Sequence, residues 1–135
     1  MLERFLQAQS NGIYERALSE IRSGTKRSHW MWFIFPQLEG LGYSPTAQYY
    51  SIPNREVARA YINHPVLGKR LIEISQAIYA LDAIDIRLVL GYPDYLKFQS
   101  CMTLFALVAP EHLVFQHNLQ RYFRGEKCRY TENHL

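Results

Sequence analysis

The chain has 135 residues, 48% hydrophobic and 20% charged, with a formal net charge of +3. That length and apolar content fit a single domain, 1–135, around one core. The charge is too small for a dedicated nucleic-acid binder, whose affinity comes from many phosphate contacts, and the basic residues are spread along the chain, so nucleic acid is not expected as a partner.

Cys101 and Cys128 show neither CxxC nor Cys/His ligand spacing, so no metal is expected, and no motif calls for another cofactor. Cys101 lies in an apolar run and reads as a core thiol, which fits a reducing cytoplasm. Glu3 and Arg4 interrupt the apolar core that a secretory leader would need. No segment approaches the roughly 18 uninterrupted apolar residues of a membrane span, so no membrane association is expected. The sequence carries no signal for oligomeric state.

In chain order, Ile13, Tyr14, Ala17, Leu18 and Ile21 recur with a helical period, and Gly24 supplies a stop. Ser28 is positioned to cap an aromatic helix over 28–35 that must end near Pro36, because the residue before a proline is pushed out of the helical region. "GLGYSP" reads as a loop, with Ser44 and Pro45 as cap and first position of a short helix. Asn54 caps "REVARAYIN", closed by "HP". Leu67, Leu71, Ile74, Ile78 and Leu81 form the most regular stripe in the chain. "DAIDIRLVLG" is a short helix or apolar turn stopped by Gly91, and "IDIRLVLGY" is the one place where a strand could lie. Pro93 and Asp94 open a helix to about Val108 that is apolar nearly all round, hence central. Pro110 and Glu111 open the last helix, with Phe115, Leu119, Tyr122 and Phe123 on one face. Strict alternation and Asn-Gly or Asp-Gly hairpin turns are missing. The expected fold is all-α: one compact multihelical domain of about seven or eight helices, with 67–81 and 93–108 at its centre.

Two stretches could carry chemistry. In "GTKRSHWMWFIFPQ", Lys26 and Arg27 precede a helix start whose free N–H groups would favour an anion. Trp30 and Trp32 offer flat faces for a ring, and His29 and Gln37 offer polar contacts. The competing reading is a buried aromatic cluster behind a solvated basic turn. On the 93–108 helix, Asp94, Lys97, Ser100 and Thr103 are spaced three apart and share one surface. They are either an Asp94–Lys97 pair with back-bonded hydroxyls, or a Lys97–Ser100 pocket wall in which Lys97 binds an anion or, if desolvated, acts in acid/base work. Of the five histidines, His112 and His117 are wrongly spaced for one helical face, and His64 before Pro65 reads as a cap. No catalytic residue is assigned: there is no Ser/His/Asp set, glycine-rich phosphate loop or HExxH motif.

The blocks "SHWMWFIFPQLEGLGYSPTAQYYSI", "HPVLGKRLIEI", "DYLKFQSCMTLFA" and "YFRGEKCRYT" resemble, along nearly the whole chain, a family of small bacterial proteins known as domain of unknown function 1810. Its motifs fall here on His29, Trp30, Trp32, Phe35, Pro36, Gln37, Gly40 and Gly42, then on His64, Pro65, Gly68, Lys97, Ser100 and Thr103. The resemblance implies a helical fold and imports no activity. Members are sometimes labelled calpastatin, and nothing in this sequence supports protease inhibition. "TAQYYSI…NREVARAYINHPVLGKRL" is more faintly similar to the NADAR families, helical proteins acting on N-glycosidic bonds of ADP-ribose derivatives. Those carry an acidic residue where Gln48 stands, so this likeness implies a ligand class and not a reaction.

The leading functional expectation is binding, with or without processing, of a small anionic, aromatic-containing metabolite such as a nucleotide or ADP-ribose derivative. Its site would be Lys26, Arg27, His29, Trp30, Trp32, Gln37, Lys97 and Ser100. Trp30 and Phe33 should dock on the apolar 93–108 helix and thereby carry His29 and Gln37 toward Lys97 and Ser100. The alternative is a non-enzymatic protein–protein interaction module with an aromatic groove. The ten tyrosines, more than a core needs, suit either.

Overall fold

The computed structural model describes residues 1–83 and 85–135. Ile84, part of the 82–91 segment above, lies outside the described residues. Among those described there is no strand, and β-type pairing is limited to one isolated parallel bridge, Leu38 to Ile52. Nor is any described helix long and apolar enough to cross a membrane.

The helices are α1 (Glu3–Ala8), α2 (Ile13–Arg22), α3 (Met31–Ile34), α4 (Pro45–Tyr49), α5 (Arg55–Asn63), α6 (Leu67–Tyr79), α7 (Ile86–Leu90), α8 (Asp94–Val108), α9 (Val114–Phe123) and α10 (Arg129–His134). Among the described residues the fold is all-α as expected, but with ten helices instead of seven or eight. The two extra ones, α1 and α10, are the chain's ends. Each has six residues and buries a single side chain, Phe5 or Thr131. That is too short for a helical period to repeat.

Local chemistry sets several boundaries. Ser44 accepts a hydrogen bond from the Ala47 N–H and Asn54 from the Val57 N–H, so both predicted caps form. His64 does cap: its Nδ1 accepts from the N–H groups of Val66 and Leu67 at 3.1 and 3.2 Å. Two starts differ from expectation. The aromatic helix begins at Met31, leaving Ser28 outside it, and the helix expected from Pro110 begins at Val114 after a turn.

Helix α8 is the centre: Phe98, every residue from Ser100 to Phe105, and Val108 are buried. It packs against α3, α5, α7, α9 and α10, and both α6 and α8 pack on α5 and α9. Cys101 is a core thiol with no solvent exposure, and burial pushes its ionisation well above the usual thiol range. The α5–α6 corner depends on Gly68, where an added Cβ would lie 1.9 Å from the Ile62 carbonyl oxygen. That oxygen belongs to a helix backbone and cannot rotate away. Gly68→Ala should therefore cost about 2 kcal/mol through overpacking, read as a lower urea midpoint with an unchanged helical circular dichroism spectrum.

Candidate functional site

The aromatic block is organised by a carboxylate from the preceding helix. Glu20, buried on α2, accepts hydrogen bonds from the N–H groups of Arg27 (2.7 Å) and Ser28 (3.0 Å) and from Trp30 Nε1 (2.9 Å), and from the Ser28 hydroxyl. Burial pushes its carboxyl pKa up, but these donors outweigh that and hold it at about 2. The expected anion site at a helix start over Ser28 does not form, because the helix begins at Met31; the N–H groups of Arg27 and Ser28 ahead of it are taken by the protein's own Glu20. Trp30 is corrected as a stacking residue: it is 1% exposed and its N–H is committed to Glu20.

Lys26 is drawn the same way. Its ammonium lies 2.9 Å from Asp94 Oδ2 at the first turn of α8 and 5.1 Å from the Trp30 ring centroid, and only 10% of its side chain is exposed. Lys26 is therefore a strut between the basic turn and α8. Arg27 is exposed and lines neither of the two cavities described below. Asp94 has a second partner, Lys97 Nζ, 3.3 Å from its Oδ1. Lys97 is half-buried, and its ammonium stands 4.5 Å from the Trp32 ring centroid, a cation–π contact.

Beside this contact opens a cleft of about 460 Å³. Trp32 and Gln37 form one side and Pro93, Leu96, Lys97 and Ser100 of the α8 region another; the 41–44 loop and Ala47 complete it. Of the expected convergence, Gln37 lines the cleft with Lys97 and Ser100; Trp32, which that expectation did not include, lines it as well. His29 does not join them. It is exposed and lines an adjacent, more open groove of about 550 Å³ with Phe33, Pro45, Thr46, Tyr49 and Tyr50. The anchor also differs. Phe35, fully buried, sets its ring edge-on to Phe98 of α8 at 5.1 Å, whereas Phe33 packs on Tyr50.

The hydroxyls of α8 are back-bonded. Ser100 Oγ donates to the Leu96 carbonyl at 3.0 Å and keeps its lone pairs for the cleft. Thr103 donates to Gln99 and accepts from the Cys128 N–H, so it belongs to the packing of the C-terminal segment.

Leu41, Gly42, Tyr43, Ser44, Ala47, Pro93 and Leu96 are cleft residues that the sequence reading did not assign. The glycine pair of "EGLGY" was their signal. Gly40 has φ +99, and an added Cβ would meet the Tyr130 hydroxyl; that hydroxyl donates to the Glu39 carbonyl at 3.1 Å. At Gly42 an added Cβ would lie 2.6 Å from that of Ala47. Arg4 of α1 donates from Nε to the Tyr49 carbonyl (2.8 Å) and from its guanidinium to that of Ser51 (3.0 Å), fastening α4, none of whose residues is buried.

The class defined by this geometry is a single all-α domain with an aromatic-walled cleft against its central helix. The chain belongs to the family described as "Protein of unknown function (DUF1810)", which it matches over residues 1–135. It is similar to the crystal structure of the conserved hypothetical protein Rv1873 from Mycobacterium tuberculosis, with 42% identity and a TM-score of 0.96. The match covers 99% of this chain and 95% of that one. Among curated proteins, none matches.

Glu20→Ala should leave the Trp30 N–H and two backbone N–H groups without an acceptor. The expected loss is about 3 kcal/mol, seen in urea unfolding. The pH dependence has a definite sign. Because the folded carboxyl is held near 2 against an ordinary value of 4.5, its contribution is complete above pH 4.5 and drains away as pH falls toward 2. The gap between wild type and Glu20→Gln should accordingly narrow between pH 5 and pH 3.

Proposed function

We propose that this domain binds a small anionic ligand carrying an aromatic ring, of the nucleotide or ADP-ribose class. The observation that carries the reading is the Lys97 ammonium over Trp32 at the wall of a largely apolar cleft. Lys97 shares its carboxylate partner, Asp94, with Lys26, so this cluster of two lysines and one aspartate keeps an excess positive charge for an incoming anion. Gln37, Ser44 and Ser100 add polar contacts, while Leu41, Ala47 and Leu96 take apolar surface. A mostly apolar cavity of a few hundred Å³ with a few placed polar groups is the usual form of a small-molecule site.

The reading is one of binding. Of the cleft residues only Tyr43 and Lys97 carry a group that titrates, and neither is a carboxylate that could assist glycosidic cleavage. Gln48, at the position where the NADAR families carry an acid, lies outside the cleft and donates to the Tyr43 carbonyl. A second reading, a protein-interaction module, draws support from exposed Tyr43 (88%) and Leu96 (40%) on the cleft wall and from Tyr49 (58%) in the adjacent groove. The convergence of Gln37, Ser44, Lys97 and Ser100 in one concavity favours the small ligand.

Adenosine 5′-monophosphate and ADP-ribose at millimolar concentration should raise the melting temperature. A ligand at a hundred times its dissociation constant adds about 2.7 kcal/mol to a fold that alone binds it. Lys97→Ala should abolish that rise while keeping the helical spectrum, because Lys26 still pairs with Asp94. A melting curve that no nucleotide moves would remove the ligand class.

A further inference from the structure

We infer that the ligand's aromatic ring is bound outside the Lys97 cleft, in the adjacent groove of His29, Phe33, Tyr49 and Tyr50, with Trp32 as the partition between ring and anion subsites. This rests on the ligand reading above. Trp32 is the residue common to the linings of both cavities, so its side chain borders each of them. On the cleft side its ring already carries the Lys97 ammonium at 4.5 Å. A base stacked on that same face would have to displace the cation from the indole and pull it from Asp94. Trp32 therefore has only its other face or its edge to offer a ring, and the groove is where further aromatic surface lies. Phe33 and Tyr50 pack together at 5.3 Å, and the exposed Tyr49 stands edge-on to Tyr50 at 4.9 Å.

The groove is also chemically suited to a base rather than to a plain hydrocarbon ring. The His29 imidazole and Thr46 hydroxyl lie among its aromatic residues and can bond to ring nitrogens and exocyclic groups. Helix α4 spans both subsites, with Ala47 lining the cleft and Pro45, Thr46 and Tyr49 lining the groove. A ring and an anion joined by a sugar-length spacer can reach around one indole, whose van der Waals contacts extend about 3.5 Å to either side. The ligand class is thus a planar, hydrogen-bonding ring tethered to an anionic group.

Calorimetric titration of the intact protein with adenosine 5′-monophosphate and with inorganic phosphate tests this. Tyr49 and His29 are exposed, so Tyr49→Ala and His29→Ala leave the core untouched. The expected result is that Tyr49→Ala weakens the monophosphate at least fivefold, as loss of a base-stacking partner does, and leaves phosphate binding unchanged. Lys97→Ala should weaken both. If Lys97→Ala eliminates nucleotide binding while Tyr49→Ala and His29→Ala do not alter it, the ring lies in the cleft. The two-subsite arrangement is then overturned and the cleft reading stands. If the wild-type protein binds no nucleotide, both fall.

Discussion

The Glu20 carboxylate is the contact on which the rest of the site depends. An ionised carboxylate taken out of water needs donors for its lone pairs, and without them it would protonate or stay at the surface. Here the donors all come from the turn that follows α2: two backbone N–H groups, a hydroxyl and an indole N–H. Satisfying Glu20 pins residues 27–30 against α2 and drives the Trp30 ring into the core. From there the short helix α3 starts at Met31, which brings Trp32 to the cleft and Phe35 onto Phe98. Charge-assisted hydrogen bonds of this kind are stronger than neutral ones, and their directionality gives the turn one geometry.

Asp94 does for α8 what Glu20 does for α2. One carboxylate at the first turn of the central helix holds two ammonium groups, Lys26 from the turn and Lys97 from its own helix. The two lysines are not equivalent. Lys26 is nearly enclosed and its backbone N–H bonds to the Val89 carbonyl, so it locks the turn to α7 and α8. Lys97 has the more exposed side chain and ends over an indole at a cavity wall. Its hydration is reduced by the ring and its charge only partly answered by Asp94. A cation in that condition gains more from an anionic ligand than a solvated surface lysine does.

How far the fold could be read from sequence follows from element length. The stripes of α2, α5 and α6 repeat over two or more turns, and α8 is apolar enough to be placed at the centre without a period. Ser44, Asn54 and His64 act as caps because their side chains compete for the N–H groups just ahead of them. In the aromatic block only four residues are helical, so a period of 3.6 carried over 28–35 assigns the wrong faces. That error put Trp30 and Phe33, instead of Phe35, on α8 and carried His29 to the cleft. The meeting of Gln37 with Lys97 and Ser100 does not depend on those faces, because an aromatic segment this dense must bury against the most apolar helix whichever ring makes the contact. Glu20 went unread as a partner because nothing in a sequence marks a single glutamate on an amphipathic helix as buried.

The parts of the site that sequence did not disclose share one physical cause. The cleft wall formed by residues 41–44 and α4 has little core of its own and is held from both chain ends. Arg4 of α1 caps carbonyls at the end of α4, and Tyr130 of α10 reaches the Glu39 carbonyl against Gly40. These contacts join residues 45 and 91 positions apart, so no local pattern reports them. The same two helices were the ones too short to show a period. A loop held by a few long-range hydrogen bonds, and not by burial, is also where backbone can adjust at small cost. The rigid half of the cleft, Lys97 and Ser100, is built on the most deeply packed helix, and the half that faces it rests on the chain's two ends. A ligand entering between them would bind a preformed charge on one side and order a tethered wall on the other.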